Sequence, residues 1–149
     1  KNLEKGKDTV LVNDEAQAIN DQRIFEELRL LLNFQLNDRF LLTLILLGQP
    51  ELRSKVEAIK QLSQRVVIRY HLTPFTVDEV GGYIDFRMKA AGASRIVFTP
   101  EAIEAVYKTS GGIPRKVNIV ADLALLIGFM ERCKQVGPRV VRKAVVEAQ

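Results

Sequence analysis

Asp14 and Glu15 stand side by side at the end of a short apolar run, Thr9-Val10-Leu11-Val12-Asn13. β-Branched and aliphatic residues in such a run favour a buried strand. Two carboxylates at its end are costly unless a cation or a catalytic task employs them. Open α/β sheets take ligands just beyond the carboxyl ends of their strands, so the pattern suits a Mg²⁺–nucleotide site. Asp14 would hold the metal, directly or through water, and Glu15 would orient or polarise an attacking water. The competing reading is structural: a strand runs into a helix whose first turn carries acids, which the helix dipole favours. These residues alone leave both open.

The elements that must position this pair follow from pattern and composition. At 149 residues the chain is one domain, or a medium and a small subdomain. A hydrophobic content of 47% supports a real core and 27% charge a solvated surface. No run reaches the roughly 18 apolar residues of a membrane span. The charged start, Lys1 to Lys7, is unlike a signal peptide. Cys133 is the single cysteine, which excludes a disulfide framework and a cysteine metal cluster and points to a reducing interior. Residues 1–80 carry 11 basic and 12 acidic side chains, and residues 81–149 carry 11 and 6. The basic excess thus lies in the second half, where phosphate, nucleic acid, an acidic partner or plain solvent could account for it.

Strand and helix patterns alternate up to about residue 75. Ile24 to Gln35 places Phe25, Leu28, Leu31, Leu32 and Gln35 on one helical face. Leu41 to Leu47 is apolar on both faces, as an internal strand of a parallel sheet should be. Pro50 opens a further helix, and Val66 to Leu72 reads as a third strand. This order predicts right-handed βαβ crossovers.

From Thr76 the chain reads as helical, with a boundary at Leu72 to Thr76. Thr76 and Glu79 form a capping box, Val80, Ile84, Met88 and Ala91 make a buried stripe, and Gly92 ends the helix. Thr99-Pro100 starts another, with Ile103, Val106 and Tyr107 inward. Ser110-Gly-Gly-Ile-Pro-Arg115 is a tight break before a long helix, about Arg115 to Arg132. Pro138 to Glu147 closes a bundle of about four helices. Tyr83, Phe86 and Tyr107 read as packing residues, and Cys133 as an inert thiol on a helix. His71, the single histidine, has no second ligand nearby for zinc, and Ser63 and Ser110 lack a nucleophile-elbow context.

Four segments in order carry a resemblance. Val-Leu-Val-Asn-Asp-Glu-Ala-Gln resembles a Walker B strand, and Leu-Leu-Gly-Gln-Pro-Glu-Leu a sensor 1 strand. Leu62-Ser-Gln-Arg-Val66 resembles an arginine-finger region, and Ser-Gly-Gly-Ile-Pro-Arg a sensor 2 motif opening a lid helix. Together they are similar to AAA+ ATPases of the general secretion pathway protein A type, relatives of transposition ATP-binding proteins and of the origin-recognition clade. The resemblance implies an α/β fold: residues 1–75 as the carboxyl part of a P-loop NTPase core, and residues 76–149 as an all-helical lid.

It also implies roles. Asp14 would bind Mg²⁺, possibly through water, and Glu15 would position the hydrolytic water. Gln49 would touch that water or the γ-phosphate, unless it is only a turn residue before Pro50. Arg65 would reach a neighbouring subunit's nucleotide, with Arg53 and Arg69 as rivals. Arg115, in the first turn of a helix whose dipole opposes a cation, would meet phosphate. ATP and Mg²⁺ are the implied cofactors, with a homo-oligomer and secretion or envelope proteins as partners. A cytoplasmic site is implied, with any membrane association supplied by regions outside this segment.

One departure qualifies all of this. No Gly-x-x-x-x-Gly-Lys-Ser/Thr occurs in the chain, so the phosphate cradle is absent. The economical expectation is the carboxyl portion of a longer ATPase, inactive by itself; an inactive family member is the lesser account. In the family's sheet the P-loop strand lies beside the last strand, so residues 66–72 should face a gap with unpaired backbone. Two readings from other classes remain. Glu101 to Asn118 resembles a helix-turn-helix with a basic second helix, which would make a DNA-binding ATPase of the transposition type. The other is a nucleotide-independent interaction domain.

Overall fold

The computed structural model describes residues 8–33, 35–36 and 39–147. The chain divides into two compact units, the first ending at Tyr70 and the second beginning at His71.

The first unit is built on two parallel strands, β1 (Thr9–Asn13) and β4 (Leu42–Leu46), paired from Thr9 with Leu42 to Asn13 with Leu46. Parallel strands need a long crossover. Here it comprises a 3₁₀ turn (Ala16–Ala18), helix α1 (Gln22–Leu31) and a two-residue antiparallel pair, β2 (Gln35–Leu36) with β3 (Arg39–Phe40). Helices α2 (Glu51–Ala58) and α3 (Lys60–Ser63) follow. Asp21 caps α1 by accepting from the Arg23 backbone N–H at 2.9 Å. The core is Ala16, Phe25, Leu52, Val56, Ile59 and Leu62.

Three expectations about this unit are corrected. The first helix stops at Leu31, and Gln35 lies in β2; a turn closes it, with Leu32 and Asn33 N–H groups donating to Arg29 and Leu30, and Asn favours turns over helices. Residue 34 lies outside the described residues. β1 forms but is mostly exposed, and β4 alternates between exposed and half-buried. Each has a single neighbouring strand among the described residues, so apolar side chains suited to an internal strand are left at a two-stranded edge. Residues 66–72 form no strand. Val66 is half-buried, whereas Val67, Ile68, Tyr70 and Leu72 are 93%, 81%, 85% and 83% exposed. These residues pair with no strand among the described residues, so their β propensity is left unrealised.

The second unit packs four helices, α4 (Val77–Ala90), α5 (Pro100–Ser110), α6 (Pro114–Met130) and α7 (Pro138–Glu147). Each start or stop has a local cause. Thr76 Oγ accepts from the Glu79 N–H, and Glu79 accepts from the Thr76 N–H at 2.8 Å, completing the capping box. Thr99 caps α5 with Pro100 in its first turn, and Gly111, at φ 60°, ends it. The buried face of α6 is Val117, Val120, Ala121, Ala124 and Gly128, the three-and-four spacing of a core-facing helix. It meets Val80, Ile84, Phe98, Ala102, Val106, Val136, Val140, Val141 and Ala144.

Three packing expectations fail here. Ala91 is exposed at the end of α4, and Phe86 is 72% exposed, because α5 and α6 cover the Val80–Ile84 face instead. Cys133 sits half-buried on the turn after α6, not on the helix.

Candidate functional site

β1 ends where the chain must turn sharply. The ladder continues one step past the paired strands, with Leu47 N–H donating to Asn13 O (2.8 Å) and Ala16 N–H to Leu47 O (2.9 Å). This pins Asp14 and Glu15 in a two-residue bend at the carboxyl end of the strand. Glu15 adopts a left-handed backbone, φ 53° and ψ 32°. That conformation costs a non-glycine residue roughly 1–2 kcal/mol and persists only where the surroundings hold it, often at functional sites. Asp14 accepts from the Glu15 N–H at 2.8 Å. Both acids are exposed, and neither forms an ion pair among the described residues.

Gln49 lies in the loop after β4, exposed, with its carbonyl accepting from Leu52 N–H at 2.9 Å. Its backbone N–H donates to Gln17 Oε1 at 3.1 Å, while Gln17 Nε2 donates to Glu15 Oε2. The structure therefore brings Asp14, Glu15 and Gln49 into one constellation, through a residue to which sequence reading assigned no role. Lys55 was missed as well. From α2 its ammonium donates to Gln17 O, to Ile19 O at 2.8 Å and to Asn20 Oδ1 at 3.1 Å, holding the turn after the acids. The one signal available in sequence was Gln17's place two residues beyond the acid pair.

The three candidate finger arginines are all exposed and none bonds to the acid pair. Arg53 is paired with Glu57 at 2.9 Å. Arg69 donates to Ser63 O and Oγ at 3.0 and 2.9 Å. Arg65, on the turn after α3, makes one long contact to Leu32 O at 3.4 Å, so most of its donors face solvent.

Arg115 belongs to the second unit. The break before it is set by Gly112, at φ 73°, where an added Cβ would lie 2.0 Å from Phe75 O. Gly112 O accepts from the Phe75 N–H at 2.9 Å, and buried Ser110 Oγ accepts from the Gly112 N–H at 3.2 Å. α6 then begins without a side-chain cap or an acid in its first turn. Arg115 and Lys116 are exposed there, and neither side chain is paired among the described residues. The same helix goes on to bury Val117, Val120 and Ala121, as a core helix does.

A polar cluster spans α4 and α6. Tyr83 OH donates to Asn118 Oδ1 at 3.0 Å, and Arg87 donates to Tyr83 OH at 3.3 Å and to Asn118 Oδ1 at 2.9 Å. The Arg87 guanidinium beside it, with Asn118, draws the Tyr83 phenol below its usual range. Beyond α6, Glu131 is held below the usual carboxylate range, first by its hydrogen bond from Lys143 and then by the charge of Arg139.

The AAA domain family matches residues 1–56. General secretion pathway protein A of Aeromonas hydrophila is 41% identical over 130 residues, 86% of this chain and 24% of the relative. Among solved structures, three variants of Thermotoga maritima RuvB share the fold at 19–20% identity, with TM-scores of 0.68, 0.63 and 0.64. They cover 93–95% of this chain, which in turn spans 44–46% of theirs. No helix among the described residues is long and apolar enough to cross a membrane. The chain thus spans about a quarter of the curated relative and under half of each structural one; residues 1–56 match the AAA domain family, and the chain as a whole is similar to general secretion pathway protein A and shares its fold with the RuvB structures.

Proposed function

We propose that Asp14, Glu15 and Gln49 form the metal- and water-facing side of an ATP-hydrolysing site. The observation that carries this reading is the acid pair itself. Two adjacent carboxylates, exposed and with no ion pair among the described residues, close a parallel strand on a strained backbone. An ordinary helix start does not need the strain.

The residues fit Mg²⁺, which accepts one or two carboxylates and keeps several waters. Asp14 would hold the metal, through water or directly, and the bound ion would supply positive charge against the phosphates. Glu15 accepts a hydrogen bond from the attacking water and orients it. Gln49, in the loop after the neighbouring strand with its backbone N–H tied to Gln17, offers its carboxamide to that water or to the γ-phosphate. Arg65, the least committed of the three arginines, acts on the nucleotide of an adjacent copy in a homo-oligomer. Arg115 opens the uncapped start of α6 and pairs with phosphate, with residues 76–149 serving as the lid.

The phosphate cradle is not encoded here, so this chain alone does not turn over ATP; a longer parent carrying a Gly-x-x-x-x-Gly-Lys-Ser/Thr loop does. Its setting is a secretion or envelope-assembly system, a reading supported by the name of the curated relative, and its side of the membrane in this proposal is the cytoplasm.

The test is Glu15→Gln in that parent. Nucleotide affinity should stay within twofold while hydrolysis falls about 10²- to 10⁴-fold. Arg115→Ala should instead weaken nucleotide binding by about 1.5–3 kcal/mol, leaving the melting of the helical unit unchanged. Hydrolysis by Glu15→Gln at the parent's rate would show that the acid pair is only a strand ending.

A further inference from the structure

We infer that Gln17 is a positioning residue that ties the Glu15 carboxylate to the loop carrying Gln49. The inference rests on the reading of Glu15 as the water-orienting acid. It makes the direction of that carboxylate depend on the backbone of the neighbouring strand's loop.

The carboxamide of Gln17 has one possible orientation. A backbone N–H can only donate and an ionised carboxylate can only accept. The oxygen must therefore face Gln49 N–H, at 3.1 Å, and the nitrogen must face Glu15 Oε2. Its two ends thus read different elements, the bend after β1 and the loop after β4. Side chains that fix the direction of a catalytic group set its reach toward the reacting atom.

Two further features hold the bridge. A Cβ on Gly48 would lie 2.5 Å from Gln17 Oε1, 3.0 Å from Leu52 Cδ2 and 3.3 Å from Gln17 N. Gly48 has no positive φ, so its missing side chain serves space and not backbone shape; the space is where Gln17 crosses the loop. Lys55 fixes the other side by donating to the Gln17 carbonyl, to Ile19 O and to Asn20 Oδ1. The Gln17 backbone is therefore clamped from α2 while its side chain spans the acid and the loop. A shift of the Gln49 backbone on nucleotide arrival passes to Glu15 through one rigid amide. Local turn-making alone needs neither the donor toward Glu15 nor the cleared volume at residue 48.

The experiment uses the ATP-hydrolysing parent with Mg²⁺–ATP as the probe. Gln17→Met keeps length and removes both hydrogen bonds. It should lower kcat about 10- to 100-fold, as loss of a supporting partner typically does, with KM within twofold and an unchanged melting temperature. Gln17→Glu keeps the acceptor toward Gln49 but turns the donor into a like charge, so kcat should fall as far. Gly48→Ala should reproduce the loss by displacing the carboxamide. In a Glu15→Gln background, Gln17→Met should cost nothing more, because the group it positions is already silent. Full activity of Gln17→Met beside an inactive Glu15→Gln overturns this inference and leaves the proposed function standing. Full activity of Glu15→Gln overturns the functional reading, and this inference with it. A fall in kcat accompanied by a lower melting temperature and a raised KM, or an additive double variant, makes Gln17 structural and overturns the inference.

Discussion

The two units solve the same problem, hiding apolar surface, with unequal success. Among the described residues the second buries thirteen in one cluster and the first buries six. The helices of the second unit satisfy most of their backbone within themselves, and Thr76 with Glu79 closes the start of α4 while Thr99 and Gly111 close the two ends of α5 from adjacent sequence. Its closure therefore needs little from elsewhere. The first unit relies on a parallel sheet, in which every strand wants a neighbour on both edges and cover on both faces. With two parallel strands it leaves Val10, Val12, Ile45 and Leu47 open on or beside the sheet, and Val67, Ile68 and Tyr70 open beyond α3. A helical module can be cut out by its caps, whereas a sheet module cannot be cut without exposing an edge. The acid pair lies on the unit that depends on others.

The largest expected effect breaks the pair apart. Residues 71–149 expressed alone should unfold in urea as one cooperative transition. Residues 1–70 alone should lack one and bind a hydrophobic dye. Circular dichroism with near-ultraviolet detection reads both, and a sharp transition in the shorter piece would refute the contrast drawn above. A smaller effect sharpens the point within the second unit. Gly112→Ala forces a side chain against Phe75 O at a positive φ, so it should cost that transition roughly 2–4 kcal/mol. A cost below about 0.5 kcal/mol would mean that the Phe75 contact is not held in solution. The smallest concerns the open segment. Changing Val67, Ile68 and Tyr70 to Ser together should alter folding stability by less than about 0.5 kcal/mol, as for surface sites. Self-association, followed by sedimentation velocity, should decrease. A loss of several kcal/mol would place these side chains in a packed interior.

Much of the architecture was legible in advance, and the pattern of success follows the range of the interactions. The capping box at Thr76, the stop at Gly92, the Gly-Gly break and the helix opened by Pro138 were readable because each depends on residues within one turn. β1 with its acid pair was readable as an apolar run ending in charge, and β4 as an apolar run broken by Gly48-Gln49-Pro50, both of them local signals. The exposure of Phe86 was missed, since helical spacing gives a face but does not say which face a neighbour covers. The end of α1 near Leu31 was missed because the apolar stripe continued past the turn at Asn33.

Sequence by itself determined the helical unit, the two parallel strands and the place of Asp14 and Glu15 at a strand end, since propensity, capping and periodicity act over a few residues. Only the tertiary structure decided that residues 66–72 stay unpaired, because a strand exists only where a second one meets it. It alone joined Gln17 to both Glu15 and Gln49, in space that the missing side chain of Gly48 leaves free. That contact bridges 32 residues of chain, and nothing local marks the two positions as neighbours until β1 and β4 lie side by side.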